Sequence, residues 1–91
     1  MADLEVVNHD AEQRFELHSD GKLAYLSYHQ HPDRIILIHT EVPKELEGRG
    51  IGGKLAKAAL DYARERKLKV VARCPFVAEY IKRHPEYADL T

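Results

Sequence analysis

The stretch "EVPKELEGRGIGGKL", residues 41–55, decides the fold of this chain. It follows the apolar run "RIILIHT" (34–40), and it places four of the chain's five glycines within the six positions 48–53, here called the glycine segment. A glycine inside a regular element costs roughly 1 kcal/mol relative to alanine. Such a concentration therefore indicates a backbone conformation or a close approach that other residues would prevent.

The residues after the glycine segment have the periodicity of a helix. Apolar residues recur at spacings of three and four between Ile51 and Arg66, and charged residues fall largely between them, which predicts a helix of about four turns. The apolar stripe comprises Ile51, Leu55, Ala58, Ala59, Tyr62 and Ala63.

Two further elements follow this helix. The segment "KLKVVARC" (67–74) predicts a strand, and "FVAEYIKRH" (76–84) predicts a short helix. Pro85 separates that helix from the tail "HPEYADLT". The apolar stripe of the short helix comprises Phe76, Val77, Tyr80 and Ile81.

Four segments ahead of the glycines have the alternation or the β-branched content of strands. Short turns join them, and Asp20-Gly21 is a hairpin signal, so an antiparallel meander is predicted. A right-handed crossover through the first helix then puts strand 69–73 beside strand 34–42 and parallel to it. We therefore predict one α+β domain over residues 1–91. The four segments are "EVVN" (5–8), "RFELHS" (14–19), "KLAYLSYHQ" (22–30) and "RIILIHTEV" (34–42).

Composition limits the classes of function. With 91 residues, 44% apolar and 32% charged, the chain is typical of one small soluble domain. No apolar run reaches the ~20 residues of a membrane span, and the N-terminus has no basic-then-apolar signal pattern. The single cysteine predicts a reducing, cytoplasmic location. A formal net charge of −1 argues against nucleic-acid binding driven by bulk charge.

Six histidines raise the question of a metal site. His29 and His31 could share one strand face, but no cysteine or carboxylate pattern completes a metal-ligand spacing. We expect no bound metal and interpret the histidines as solvated surface residues.

The glycine segment itself allows two interpretations. A glycine loop that enters a helix offers unobstructed backbone N–H groups and the positive end of the helix dipole, which favours a phosphate or pyrophosphate. Arg49 and Lys54 could add their charges. The alternative is a tight turn, which one or two glycines would satisfy.

Two common phosphate-binding motifs fit poorly. A Walker loop needs Ser or Thr after its lysine, and here Leu55 follows Lys54. The dinucleotide pattern G-x-G-x-x-G is matched by Gly48, Gly50 and Gly53, but the later strand "VVARC" lacks the acidic residue that would bind a ribose.

A third class fits better. The segment 47–52 resembles the pyrophosphate loop of the GNAT superfamily of acyl-CoA-dependent acetyltransferases, Arg/Gln-x-x-Gly-x-Gly/Ala. The chain resembles most the very short, stand-alone branch of that superfamily, through Val42-Pro43 before the loop, Cys74-Pro75-Phe76, Tyr80 and His84-Pro85-Glu86-Tyr87. The resemblance covers nearly the whole chain and implies a mostly antiparallel sheet opened at one parallel splay.

Two features depart from the superfamily pattern. Glu47 stands where Arg or Gln is usual, so Arg49 or backbone amides would carry the phosphate contact. The chain is also too short for the additional helices and strands that wall the acceptor site in longer members. We therefore expect an acceptor groove that is open or completed by a partner.

The resemblance implies that acetyl-CoA lies along the end of the splayed strand and on the glycine loop, with Arg83 near the 3′-phosphate. The expected donor contacts are Thr40, Val42, Pro43, Gly48, Arg49, Gly50, Ile51, Gly52, Gly53, Lys54 and Arg83.

Amine attack on a thioester needs a base for the amine and an acid for the leaving thiolate. Tyr80 is the candidate acid by resemblance, and a core tyrosine with its hydroxyl at the rim is the alternative. Glu41 is the candidate base, although an exposed glutamate at a strand end is equally compatible with the pattern. Cys74 lies between a strand and a helix N-terminus, where a thiol can become a nucleophile. It could instead shape the pocket or serve only in packing.

The motif His84-Pro85-Glu86-Tyr87 is interpreted as a latch in which Tyr87 packs back on the sheet. Three functions remain open: an N-acetyltransferase using acetyl-CoA and an unidentified amine, a non-catalytic CoA-binding sensor or scaffold, and a small interaction domain that binds another phosphate. We expect a monomer or weak dimer, with no nucleic-acid or membrane partner.

Overall fold

The computed structural model describes residues 5–91, and residues 1–4 of the N-terminal stretch analysed for a signal lie outside this range. The first α-helix, α1, spans Ile51–Arg66 and the second, α2, spans Pro75–Arg83. The strands are β1 (Val6–His9), β2 (Arg14–Ser19), β3 (Lys22–Gln30), β4 (Arg34–Glu41) and β5 (Lys69–Ala72). Short 3-10 helices occupy Asp10–Glu12, Lys44–Leu46 and Pro85–Leu90, where a turn, the approach to the glycines and a tail were expected.

The strands form one sheet in the order β1-β2-β3-β4-β5. The first four pair antiparallel, and β5 pairs parallel with β4 from Arg34 opposite Lys69 to Leu37 opposite Ala72. The predicted α+β architecture, with an antiparallel meander, a parallel neighbour and one crossover helix, is confirmed.

The β2–β3 hairpin turns at Asp20 and Gly21, whose φ angles are 53° and 71°. Positive φ at both central residues is the geometry that matches the right-handed twist of the flanking strands. This turn fixes the register that pairs Leu17 with Ala24 and Phe15 with Leu26, all of them buried.

A β-bulge interrupts the pairing of β3 with β4. Tyr28 pairs with Leu37 and Ser27 pairs with His39, which leaves Ile38 as an extra residue on β4. An extra residue reverses the alternation of side chains beyond it. Thr40, opposite the buried Leu26, therefore faces the same side of the sheet as Leu37.

Helix α1 covers one face of the sheet. Its buried residues are Ile51, Leu55, Ala56, Ala59, Leu60 and Ala63. The predicted stripe is incomplete: Ala58 and Tyr62 are half-buried and pack against the core, but Ala56 and Leu60, which the stripe omitted, are fully buried. Within residues 5–91, the opposite face of the sheet has no helix, and it presents Arg14, Glu16, Tyr25, His39 and Glu41.

The C-terminal 3-10 helix closes on α1 rather than on the sheet, which corrects the predicted packing of Tyr87. The Tyr87 side chain is buried, and its hydroxyl donates a 2.7 Å hydrogen bond to Asp61. Arg64 donates to the carbonyl of Glu86 at 2.7 Å and forms an ion pair with Asp89 at 2.9 Å. The latch is therefore built from α1 side chains.

Candidate active site

The site begins where β4 and β5 separate. The N–H groups of Arg73 and Cys74 both donate to the carbonyl oxygen of Leu37 at 3.0 Å, and the chain then turns into α2. Strand β4 continues to Glu41, so within the described residues its segment 38–41 has no partner on the β5 side. This gap is the parallel splay that the resemblance implied.

The glycine segment lies opposite the end of β4. Gly48 and Gly50 have φ angles of 85° and 71°, which side chains with a Cβ rarely adopt, and α1 begins at Ile51. The first N–H groups of an α-helix have no intrahelical acceptor, and Gly50 at the N-cap has no side chain to accept them. The start of α1 is therefore an N–H-rich, electropositive surface.

A cavity of about 460 Å³, here called the splay cavity, lies between the strand end and the glycine segment. It brings together most of the residues expected to contact a donor, and it adds Leu46, Glu47 and Phe76. Its lining comprises Thr40, Glu41, Val42, Leu46, Glu47, Gly48, Gly50, Ile51, Gly52, Gly53 and Phe76.

The four glycines do not form one loop, because Gly52 and Gly53 belong to the first turn of α1. A Cβ on Gly52 would lie 2.8 Å from the Phe76 ring, closer than real Cβ contacts occur, and one on Gly53 would lie 3.6 Å from the Tyr80 ring. Gly48 and Gly50 therefore allow a backbone with positive φ, and Gly52 allows α2 to pack closely against α1.

Thr40 and Cys74 meet at the inner end of the gap. The Thr40 Oγ1 lies 3.4 Å from the Cys74 Sγ, and the cysteine is only 4% exposed. Cys74 is the N-cap residue of α2 and makes no side-chain capping hydrogen bond. The contact exists because the bulge at Ile38 turns Thr40 toward the helices.

Glu41 lies at the junction between the splay cavity and the open sheet face. Its carboxylate is 2.8 Å from the Nε2 of His39, and the His39 ring makes an edge contact with Tyr25, centroid to centroid 6.2 Å. Sequence reasoning missed His39. Its position beside Glu41 could have been inferred, since residues two apart on a strand share a face.

Pro43, Arg49, Lys54 and Arg83, four of the expected donor contacts, do not line the splay cavity. Arg49 is paired with Asp20 of the hairpin turn at 2.8 Å. Arg83 is paired with Glu79 on its own helix at 3.5 Å.

Lys54 instead lines a shallow hollow on α1 together with Lys57, Ala58 and Asp61. Lys57 and Asp61 form an ion pair at 2.8 Å within this hollow.

Tyr80 also lies outside the splay cavity. Its ring stacks on His84, with centroids 3.9 Å apart, and it contacts the Gly53 side of α1. Loss of solvation raises the pKa of Tyr80, and the nearby Lys57 ammonium opposes this effect. The phenol is therefore protonated at neutral pH, as an acid catalyst requires.

Phe76 is a second residue whose place in the site was missed by sequence reasoning. The predicted stripe of α2 put it inside with Val77 and Ile81, but its side chain is 45% exposed and lines the splay cavity. The Cys74-Pro75-Phe76 motif could have indicated that Phe76 belongs to the site.

Neither a metal cluster nor a membrane helix occurs in the described part of the chain. Across residues 5–91, no three His, Cys, Asp or Glu side chains are grouped so that they could bind a metal ion. None of the helices in this range has the length and apolar character needed to span a membrane.

Known proteins provide an independent comparison. Residues 14–90 match the model of the GCN5-related N-acetyl-transferase family. Protein NATD1 of Mus musculus is 42% identical over 83 residues, which cover 87% of this chain and 76% of the mouse protein, and that of Danio rerio is 35% identical over 89 residues, which cover 91% and 81%. The solution NMR structure of a GCN5-like candidate N-acetyltransferase from Staphylococcus aureus has a TM-score of 0.74 at 34% identity, covering 99% of this chain and 89% of that one. This chain belongs to the GCN5-related N-acetyltransferase family.

Proposed function

We propose that this protein transfers the acetyl group of acetyl-CoA to an amine acceptor. The observation that carries the proposal is the splay cavity, in which the free end of β4 and the N–H-rich start of α1 converge from separate parts of the chain. A donor with a phosphate group at one end and a thioester at the other matches these two surfaces.

The phosphate end of the donor would be bound mainly by backbone groups. The lining of the splay cavity contains the carboxylates of Glu41 and Glu47 and, among the described residues, no lysine or arginine. N–H groups near Gly50 and the helix dipole would therefore supply the attraction. Arg49 could add a positive charge only after leaving Asp20.

The thioester end would lie in the gap between β4 and β5, near Thr40 and Cys74. The amine nitrogen attacks the carbonyl carbon, a C–N bond forms, the C–S bond breaks, and CoA leaves as a thiolate. Glu41, paired with His39, is proposed to accept the proton of the amine. Tyr80 is proposed to donate a proton to the thiolate, which requires its hydroxyl to reach the donor from outside the cavity lining.

Acetyl transfer to a panel of amines, polyamines and protein lysines tests the activity. CoA binding is tested by thermal unfolding, where ligand at 100 times its dissociation constant should add about 2.7 kcal/mol of stability. Transfer supports the proposal. Stabilisation without transfer to any acceptor identifies a non-catalytic CoA-binding module, and the absence of stabilisation by CoA refutes the donor assignment.

Gly50→Ala tests the phosphate end, with Gly21→Ala as a matched control. Both glycines have a φ of 71°, and a Cβ at either would meet nothing within 4 Å, so each substitution strains the backbone without a steric clash. We expect a loss of stability in both variants but a loss of CoA affinity only at Gly50, measured by calorimetry. Unchanged CoA affinity in a folded Gly50→Ala variant would contradict the assignment.

A further inference from the structure

Phe76 is an apolar side chain exposed at the wall of a cavity. It is 45% exposed, whereas the next residue of α2, Val77, is 0% exposed. An isolated exposed apolar residue needs no explanation. Phe76 differs because its ring lines the splay cavity and rests on a glycine of α1.

Gly52 is the seat of this ring. Its backbone is helical, without the positive φ of Gly48 and Gly50, so no turn requires a glycine there. A Cβ at Gly52 would lie 2.8 Å from Cζ and 3.1 Å from Cε2 of Phe76. One face of the ring is therefore fixed against α1, and the exposed remainder borders the cavity.

The position of the ring along the cavity indicates what it contacts. At one end, Gly52 adjoins the N–H-rich start of α1, where a pyrophosphate would lie. At the other end, Phe76 is two residues from Cys74, which contacts Thr40 of the cavity lining, where the proposed thioester would lie. Between a pyrophosphate and a thioester, a CoA molecule carries its pantetheine arm, which includes a branched dimethyl carbon that an aromatic face can cover.

We propose that Phe76, seated on Gly52, is the specificity-determining wall for the pantetheine arm of the donor. The inference rests on the proposed function and deepens it, because it selects CoA thioesters over donors that have a phosphate but no such arm. Val42 and Leu46 provide apolar surface elsewhere in the cavity lining. The arm is expected to lie between these side chains and the ring.

Calorimetry on Phe76→Ala tests the contact with two probes, CoA and adenosine 3′-phosphate 5′-diphosphate, which lacks the arm. We expect CoA affinity to fall by about tenfold, equivalent to about 1.4 kcal/mol, and the nucleotide to bind as in the wild type. Val71→Ala is the control, because Val71 is another exposed apolar residue, 38% exposed, on β5 outside the cavity lining. It should leave the affinity for both probes unchanged.

The Gly52→Ala substitution tests the seat. Because the added methyl group must displace the ring, Gly52→Ala should lower CoA affinity in the wild-type background. In the Phe76→Ala background, where no ring remains, the same substitution should change CoA affinity by less than twofold. If Gly52→Ala lowers CoA affinity by the same factor with and without the Phe76 ring, Gly52 does not act through Phe76.

Ring NMR signals of Phe76 in the intact wild-type chain provide a readout that does not depend on a variant. They should shift with CoA and shift less with the armless nucleotide. The inference is overturned if they fail to respond to CoA, or if Phe76→Ala binds CoA like the wild type or weakens both probes equally. If the wild-type chain binds no CoA at millimolar concentration, the proposed function itself fails, and the two failures are distinguishable.

Discussion

The substitution Tyr87→Phe should lower the free energy of unfolding by about 1.5 kcal/mol. Tyr87 is 6% exposed, and its hydroxyl donates to the Asp61 carboxylate at 2.7 Å. Phenylalanine keeps the ring and removes only the donor. Hydrogen bonds to charged groups contribute about 1.5–3 kcal/mol, and the lower end applies because Lys57 continues to bind the other carboxylate oxygen.

Urea unfolding measures this effect. For a small domain with a slope of about 1 kcal/mol/M, the midpoint should fall by about 1.5 M. Tyr62→Phe is the matched control, since its hydroxyl donates to the neutral, exposed Gln30 amide at 2.8 Å and should contribute at most about 0.5 kcal/mol. Equal midpoint shifts in the two variants would refute the assignment of the latch to the Tyr87–Asp61 hydrogen bond.

The same contact predicts a dependence of stability on alkaline pH. Burial, and then the hydrogen bond to Asp61, raise the pKa of Tyr87 to about 12. Because the folded state holds this proton more tightly than the unfolded chain, the stabilisation is complete below about pH 10 and is lost as the pH rises to about 12. Tyr87→Phe should therefore lose less stability than the wild type across this interval, and an identical decline would contradict the cause given for the shift.

Three further predictions concern the proposed chemistry. Tyr80→Phe should lower kcat by roughly 10²–10⁴-fold with CoA affinity nearly intact. Unchanged turnover in steady-state assays would show that Tyr80 serves only in packing. Cys74→Ala should retain most activity if transfer is direct. Intact-protein mass spectrometry would refute direct transfer if it showed a Cys74 thioester that forms from acetyl-CoA and disappears at the rate of product formation. Asp20→Asn should release Arg49 from its 2.8 Å ion pair and raise CoA affinity by about 1.5- to 5-fold, measured by calorimetry; no increase would contradict a phosphate contact by Arg49.

The fold was predictable because local and global patterns agree. Alternating apolar residues defined β2 and β3, the Asp20-Gly21 turn set their register, and the periodicity after the glycine segment predicted α1 with the bounds observed. The buried face of α1 was less predictable. Ala56, Ala58, Leu60 and Tyr62 make the helix apolar around most of its circumference, so only the position of the sheet decides which of them is covered.

From the sequence, the site could be located on a segment of the chain, but the roles of its individual residues could not be predicted. Clustered glycines marked the start of α1, but their separate roles depend on contacts between distant parts of the chain. Gly52 is needed because Phe76 arrives from α2, and the sequence contains nothing local that pairs the two. The ion pair of Arg49 with Asp20 of the hairpin turn was likewise not predictable, because the two residues are 29 positions apart in the sequence.

The bulge at Ile38 determines how the two halves of the proposed reaction are arranged. Without the extra residue, strict alternation would put His39 beside the helices and Thr40 on the open sheet face. With it, Thr40 reaches Cys74 on the helix side, whereas His39 and Glu41 share the open face. A donor bound at the start of α1 and an amine deprotonated by Glu41 would therefore approach the thioester from opposite faces of the sheet. The proposed acceptor would then approach across the face that, in residues 5–91, no α-helix covers.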